Sequence, residues 1–151
     1  MRSLAIDACP DPDVIDVQAL PLPPGLPTDP AWWLRELFAF GSAPWPVKAL
    51  MGVRQLVAGI VGASTHRTGP DVFAQDAADD REVMAHESDT HLDFWAGVAV
   101  DDGLFQVTTV VTLHGWRGRL YWAPVGALHA PILRSMMRRT IARAVAGTAT
   151  R

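Results

Sequence analysis

The chain has a single cysteine, Cys9, among its 151 residues. It therefore cannot close an internal disulfide or build a multi-cysteine zinc site, and nothing in it calls for an oxidising compartment. Long apolar runs are also missing. "LVAGIVGA", from Leu56 to Ala63, is the longest and is far too short to span a bilayer. The opening "MRSLAIDACPDPD" has no basic segment followed by an apolar core, so no secretory signal is expected and the expected location is the cytoplasm. Basic charge is not in excess either. The formal net charge of −3 gives no general attraction to nucleic acid or anionic lipid. No phosphate-cradling glycine loop, G-x-S-x-G elbow or H-E-x-x-H pair occurs, and no cofactor is expected.

Hydrophobic residues make up 49% of the chain and charged residues 19%, which suits one soluble domain over 1–151, with a core from about 13 to 146. Val14 to Leu22 reads as a strand, followed by the stiff connector "PLPPGLPTDP". Asp29-Pro30 is a helix start, with Asp29 as N-cap and Pro30 at the first helical position, and the helix should end at Gly41. "GSAPWP" breaks it, and Pro46 can open a second helix to about Gly62. From Asp71 onward "DVFAQ", "REVMAHE", "HLDFWAGVAV", "LFQVTTVVTLH" and "RLYWA" read as successive strands. A last helix from about Gly126 to Ala146 carries apolar residues at helical spacing, with Pro131 tolerable in its first turn. The order predicts an α+β helix-grip architecture. A curved antiparallel sheet wraps around a long C-terminal helix, with two short helices after the first strand.

The hairpin around Asp102-Gly103 can be registered from sequence. A two-residue turn pairs Asp101 with Leu104, Trp95 with Val110, Asp93 with Thr112 and His91 with His114. Leu92, Phe94, Ala96, Val98 and Val100 then share an apolar face with Phe105, Val107, Thr109, Val111 and Leu113. A three-residue turn would mix the two sets. Carried back one strand, the pattern puts Val83, Ala85 and Glu87 on this core face. His86 joins His91, Asp93 and His114 on the other. Those four could form a two-histidine, one-carboxylate metal site, but an antiparallel sheet ordinarily turns polar residues to solvent, so no metal is expected. Trp95 on that outer face suggests a contact surface such as a homodimer interface, or a bulge that re-aims these residues inward.

On the second helix Arg54 falls inside an apolar arc, where it must snorkel out or meet a buried acceptor. Glu87, alone on the core face, is its counterpart. The pair reads either as an internal salt bridge or as the polar end of a greasy cavity, where Arg54 would anchor an acidic or carbonyl group of a ligand. Arg134, Arg138, Arg139 and Arg143 make the exposed side of the last helix basic. His66 lies in the loop "STHRTGP", a candidate lid.

"DPAWWLRELF", "PWPVKALMGVRQLVAGIVG", "HLDFWAGVAV" and "VTTVVTLHGWRGRLYWAPVGALH", in that order, resemble a bacterial domain family of unknown function. That family is related to the helix-grip superfamily of START-like and polyketide-cyclase-like proteins. The likeness runs from about Leu20 to Arg143, with Arg54, His91, Asp93, Phe94, His114, Gly118, Tyr121 and His129 closest to the pattern. It implies a protein that holds an apolar or aromatic metabolite between sheet and helix. Phe94, Phe105, Val107 and Val111 would line the cavity, with Arg54, Glu87 and Tyr121 as polar contacts. A cyclase- or dehydratase-type enzyme using a cavity histidine or Glu87 is the alternative. The register places three of the five histidines away from the core. An interaction module using the outer sheet face is a third reading.

Overall fold

A computed structural model describes residues 3–39 and 76–149. The element order is α1 (Leu4–Ala8), β1 (Val14–Pro21), α2 (Pro30–Leu37), β2 (Ala77–Ala78), β3 (Glu82–Ser88), β4 (Leu92–Asp101), β5 (Leu104–Leu113) and α3 (Gly115–Ala149). The strands form one antiparallel sheet in the order β1-β5-β4-β3-β2, and α3 packs on one of its faces. This is the helix-grip arrangement. The expected second helix at 47–62, with Arg54, the His66 loop and the "DVFAQ" strand all lie outside the described residues.

The β4–β5 hairpin forms because its turn residues can enter the left-handed region. Asp102 has φ 48° and Gly103 φ 73°, as a two-residue primed turn requires. Asp101 pairs with Leu104, Trp95 with Val110 and Asp93 with Thr112, the register expected from sequence. The ladder ends at Leu92 and Leu113, and the His114 N–H donates to the His91 carbonyl at 2.7 Å just beyond it. Val83, Val98, Phe105 and Val107 face Leu133 and Met137 of α3 and Trp33, Leu34 and Leu37 of α2. The Trp33 and Phe105 rings lie 4.7 Å apart, and the Trp33 indole N–H donates to the Pro27 carbonyl. Asp29 caps α2 by accepting from the Ala31 N–H at 2.9 Å, but the helix stops at Leu37, before Gly41.

Two further expectations fail. "RLYWA" is not a strand, and the last helix starts at Gly115 rather than Gly126. Pro124 and Pro131 therefore sit inside α3, each removing an N–H from the helical ladder. Both prolines are exposed, as are Leu120 and Ala127 four residues earlier, so water can hydrate the freed carbonyls. The start of α3 also needs Gly118: a Cβ there would lie 2.3 Å from the His91 carbonyl oxygen.

"SLAID" is helical, and it covers the outer sheet face. Ala5 and Cys9 pack with Met84 and Val110, and half-buried Trp95 joins them. Glu82 anchors this segment from across the sequence. Its carboxylate, in a residue 4% exposed, accepts from Ser3 Oγ at 2.7 Å and the Leu4 N–H at 2.8 Å. Gly97 makes room for that carboxylate, because a Cβ there would overlap Glu82 Oε1. Among the described residues no helix is long and apolar enough to cross a membrane. Glu82→Ala should cost about 2 kcal/mol in urea unfolding, from two hydrogen bonds to a charged group. It should also raise amide exchange across residues 4–8, while the β4–β5 amides stay protected.

Candidate functional site

The sheet registers arrange the α3-facing side into cross-strand rows. Glu87, Phe94, Val111 and Val14 form one row, and Val83, Val98, Val107 and Gln18 form another. Between them runs a row of small or polar side chains: Ala85, Ala96, Thr109 and Asp16. Edge strand β1 thus turns Asp16 and Gln18 toward the helix, and Ile15 and Val17 the other way, where they are 48% and 41% exposed. This reverses the usual placement of polar and apolar residues on a half-buried strand. Leaving Ile15 and Val17 half-exposed forgoes about 1 kcal/mol each of burial.

The inward polar groups are met from α3. His129 Nδ1 lies 2.7 Å from Asp16 Oδ2, with both side chains about one-fifth exposed. Gln18 Nε2 donates to the other carboxylate oxygen, Asp16 Oδ1, at 2.5 Å. Gln18 Oε1 in turn accepts from Arg134 Nε at 3.1 Å and Nη2 at 2.8 Å. Four side chains therefore form one chain of hydrogen bonds, His129–Asp16–Gln18–Arg134, joining the edge strand to α3. Gln18, only 7% exposed, spends both ends of its amide in it. Trp122, two turns before His129 on α3, sets its ring 5.8 Å from the imidazole. Because Nδ1 is the engaged nitrogen, Nε2 remains for a further partner, and no hydrogen bond engages it among the described residues.

The residues singled out from sequence are distributed around this network. Val107 and Val111 are buried on either side of Thr109, and Val107 is the cross-strand partner of Gln18. Phe94 is half-buried beside Val111 and Glu87. Phe105 is fully buried against Trp33 and so belongs to the packed end. Tyr121 is on α3 rather than on a strand, and half-buried. Any contact of Glu87 with Arg54 lies outside the described residues.

The four outer-face residues are not gathered together. His114 Nε2 lies 3.1 Å from Asp93 Oδ2, and Ser88 Oγ donates to Asp93 Oδ1. His86 instead stacks on Trp95, with ring centroids 4.7 Å apart. His91 is 7% exposed, with Nε2 unpartnered. No group of three or more His, Cys, Asp or Glu that could hold a metal occurs among the described residues. Trp95, packed beside α1, is not the exposed tryptophan on which the interaction reading rested.

Sequence reasoning missed Asp16 and Gln18 as site residues, and singled out His129 only through the family pattern. One signal was present: a polar pair at i, i+2 in a strand, with no local feature to say which alternate face is buried.

The architecture and its polar seam define a helix-grip protein of α+β class. Residues 8–136 match the family described as "Protein of unknown function (DUF2867)", and the chain belongs to that family. No curated protein matches. Among solved structures, a crystal structure of Ara h 8.0201 is similar at 8% identity and a TM-score of 0.33, over 85% of this chain and 97% of that one. So loose a superposition carries no argument.

Asp16→Ala should destabilise the fold by about 2 kcal/mol in chemical unfolding, because it strips His129 and Gln18 of a charged acceptor. Ile15→Thr, on the exposed side of the same strand, should stay within about 0.5 kcal/mol of wild type.

Proposed function

We propose that the protein binds a small apolar or aromatic metabolite between the sheet and α3, with Asp16, Gln18, His129 and Arg134 as the polar end of the site. The reversed polarity of β1 carries this reading. A strand serving stability alone would bury Ile15 and Val17 and leave Asp16 and Gln18 in water. Here polar groups converge on a largely apolar face, the usual build of a small-molecule site. The small row Ala85–Ala96–Thr109 beside Asp16, flanked by Phe94, Val107 and Val111, supports the placement. Arg134 supplies a permanent charge for a carboxylate, sulfonate or enolate oxygen. Glu87, Arg54 and Tyr121 remain proposed contacts, and kinship with START-like and polyketide-cyclase-like proteins is part of the same reading.

The amphiphilic aromatic probe anilinonaphthalene sulfonate tests it. One saturable site is expected by fluorescence titration, weakened about tenfold in Arg134→Ala. Native mass spectrometry of the protein as purified should also reveal any organic mass released on denaturation. A probe that binds without saturation, or equally well to the Arg134→Ala protein, counts against the reading.

A further inference from the structure

We infer that His129 is a proton-transferring base and that Asp16 is its positioning residue. The ligand acted on would be an apolar or aromatic carbonyl compound with an acidic C–H next to the carbonyl. This deepens the binding reading and rests on it.

The argument starts from the direction of the hydrogen-bond chain. Asp16 contacts His129 at Nδ1, which selects the tautomer with hydrogen on Nδ1 and the lone pair on Nε2. Gln18 occupies the other carboxylate oxygen, so Asp16 cannot swing away without breaking a second bond. Arg134 fixes Gln18 through two donors. Each link thus constrains the next, and the chain ends on an imidazole whose outer nitrogen is uncommitted. A stabilising ion pair would need only the Asp16–His129 contact. A base oriented by a third group needs the rest.

The step balances without any co-reactant. The Nε2 lone pair of His129 takes the proton from carbon, and the C–H electron pair moves into the carbonyl to form an enolate. Asp16 offsets the imidazolium charge and Arg134 offsets the enolate oxygen. Nε2 then returns the proton to the same carbon, to another carbon or to oxygen, which regenerates the neutral imidazole. Exchange, isomerisation or ring closure would follow from where the proton lands.

α-Tetralone is the probe for the test. It should displace anilinonaphthalene sulfonate from the wild-type protein, and its α-hydrogens should exchange into heavy water about a hundredfold faster than in buffer. His129→Gln should return exchange to the buffer rate, and Asp16→Asn should slow it at least about tenfold. Nitrogen NMR of the wild-type protein supplies a readout that needs no active variant. The neutral His129 ring should carry its hydrogen on Nδ1. Displacement without accelerated exchange, or a neutral His129 ring with its hydrogen on Nε2, makes the pair a structural contact and overturns the assignment. Failure of α-tetralone either to displace the dye or to exchange overturns the assignment. Failure of the dye itself to bind saturably overturns the underlying binding reading as well.

Discussion

Everything in this molecule depends on the two left-handed residues at Asp102 and Gly103. A turn of exactly two residues sets one register for the β4–β5 ladder, and a strand's side-chain period of two then sorts each residue onto one of two faces. A slip of one position would send Phe105, Val107 and Val111 outward and bring Gln106, Thr108 and Val110 in. Both faces are in fact committed, one to α2 and α3 and the other in part to α1. The register is therefore held by two apolar packings rather than one. The second depends on Glu82, which reaches across 78 and 79 residues of sequence to tie down Leu4 and Ser3.

Edge strand β1 inherits its facing from β5 and has no choice of its own. Pairing Val17 with Thr108 and Gln18 with Val107 forces Gln18 inward, and Asp16 follows by alternation. Once inside, a carboxylate and an amide need partners, because desolvating them without hydrogen bonds would cost more than the lost burial of Ile15 and Val17. His129 and Arg134 are those partners. The register thus decides which positions of β1 face α3, whereas stability alone does not account for polar residues at those positions.

This explains what could be read in advance. The hairpin was legible because the turn chemistry at Asp102-Gly103 and the alternation of both strands agree. The helix-grip architecture was legible from the order of elements, and the Asp29-Pro30 start of α2 from local capping. The start of α3 was not, since aromatic residues and two prolines in "RLYWAPVGALHAP" argue for a strand and a break. The helix persists because both prolines are exposed, a tertiary fact absent from local pattern. Helix α1 was also out of reach, being five residues long and held by a carboxylate far along the chain. The site was half legible. Val107 and Val111 lie on the α3-facing side of the sheet, as the hairpin register implies, whereas the facing of Asp16 and Gln18 is decided by β5.

The position of His129 along α3 bears on whether its neighbours serve a purpose beyond stability. Near its start, α3 is pinned where Gly118 meets the His91 carbonyl, and near its end where Arg143 Nη2 donates to the Glu36 carbonyl at 2.7 Å. Leu133 and Met137 fix the intervening turns against the sheet. With the helix held on both sides, the Asp16–His129 contact is not needed to dock it. Buried or half-buried ion pairs also seldom improve on apolar packing of similar volume. What the contact adds is orientation: it fixes one ring nitrogen against the strand and leaves the other outside any hydrogen bond among the described residues, as the proposed base requires. That orientation is useful only on a helix that does not move, which is the condition the two anchors meet.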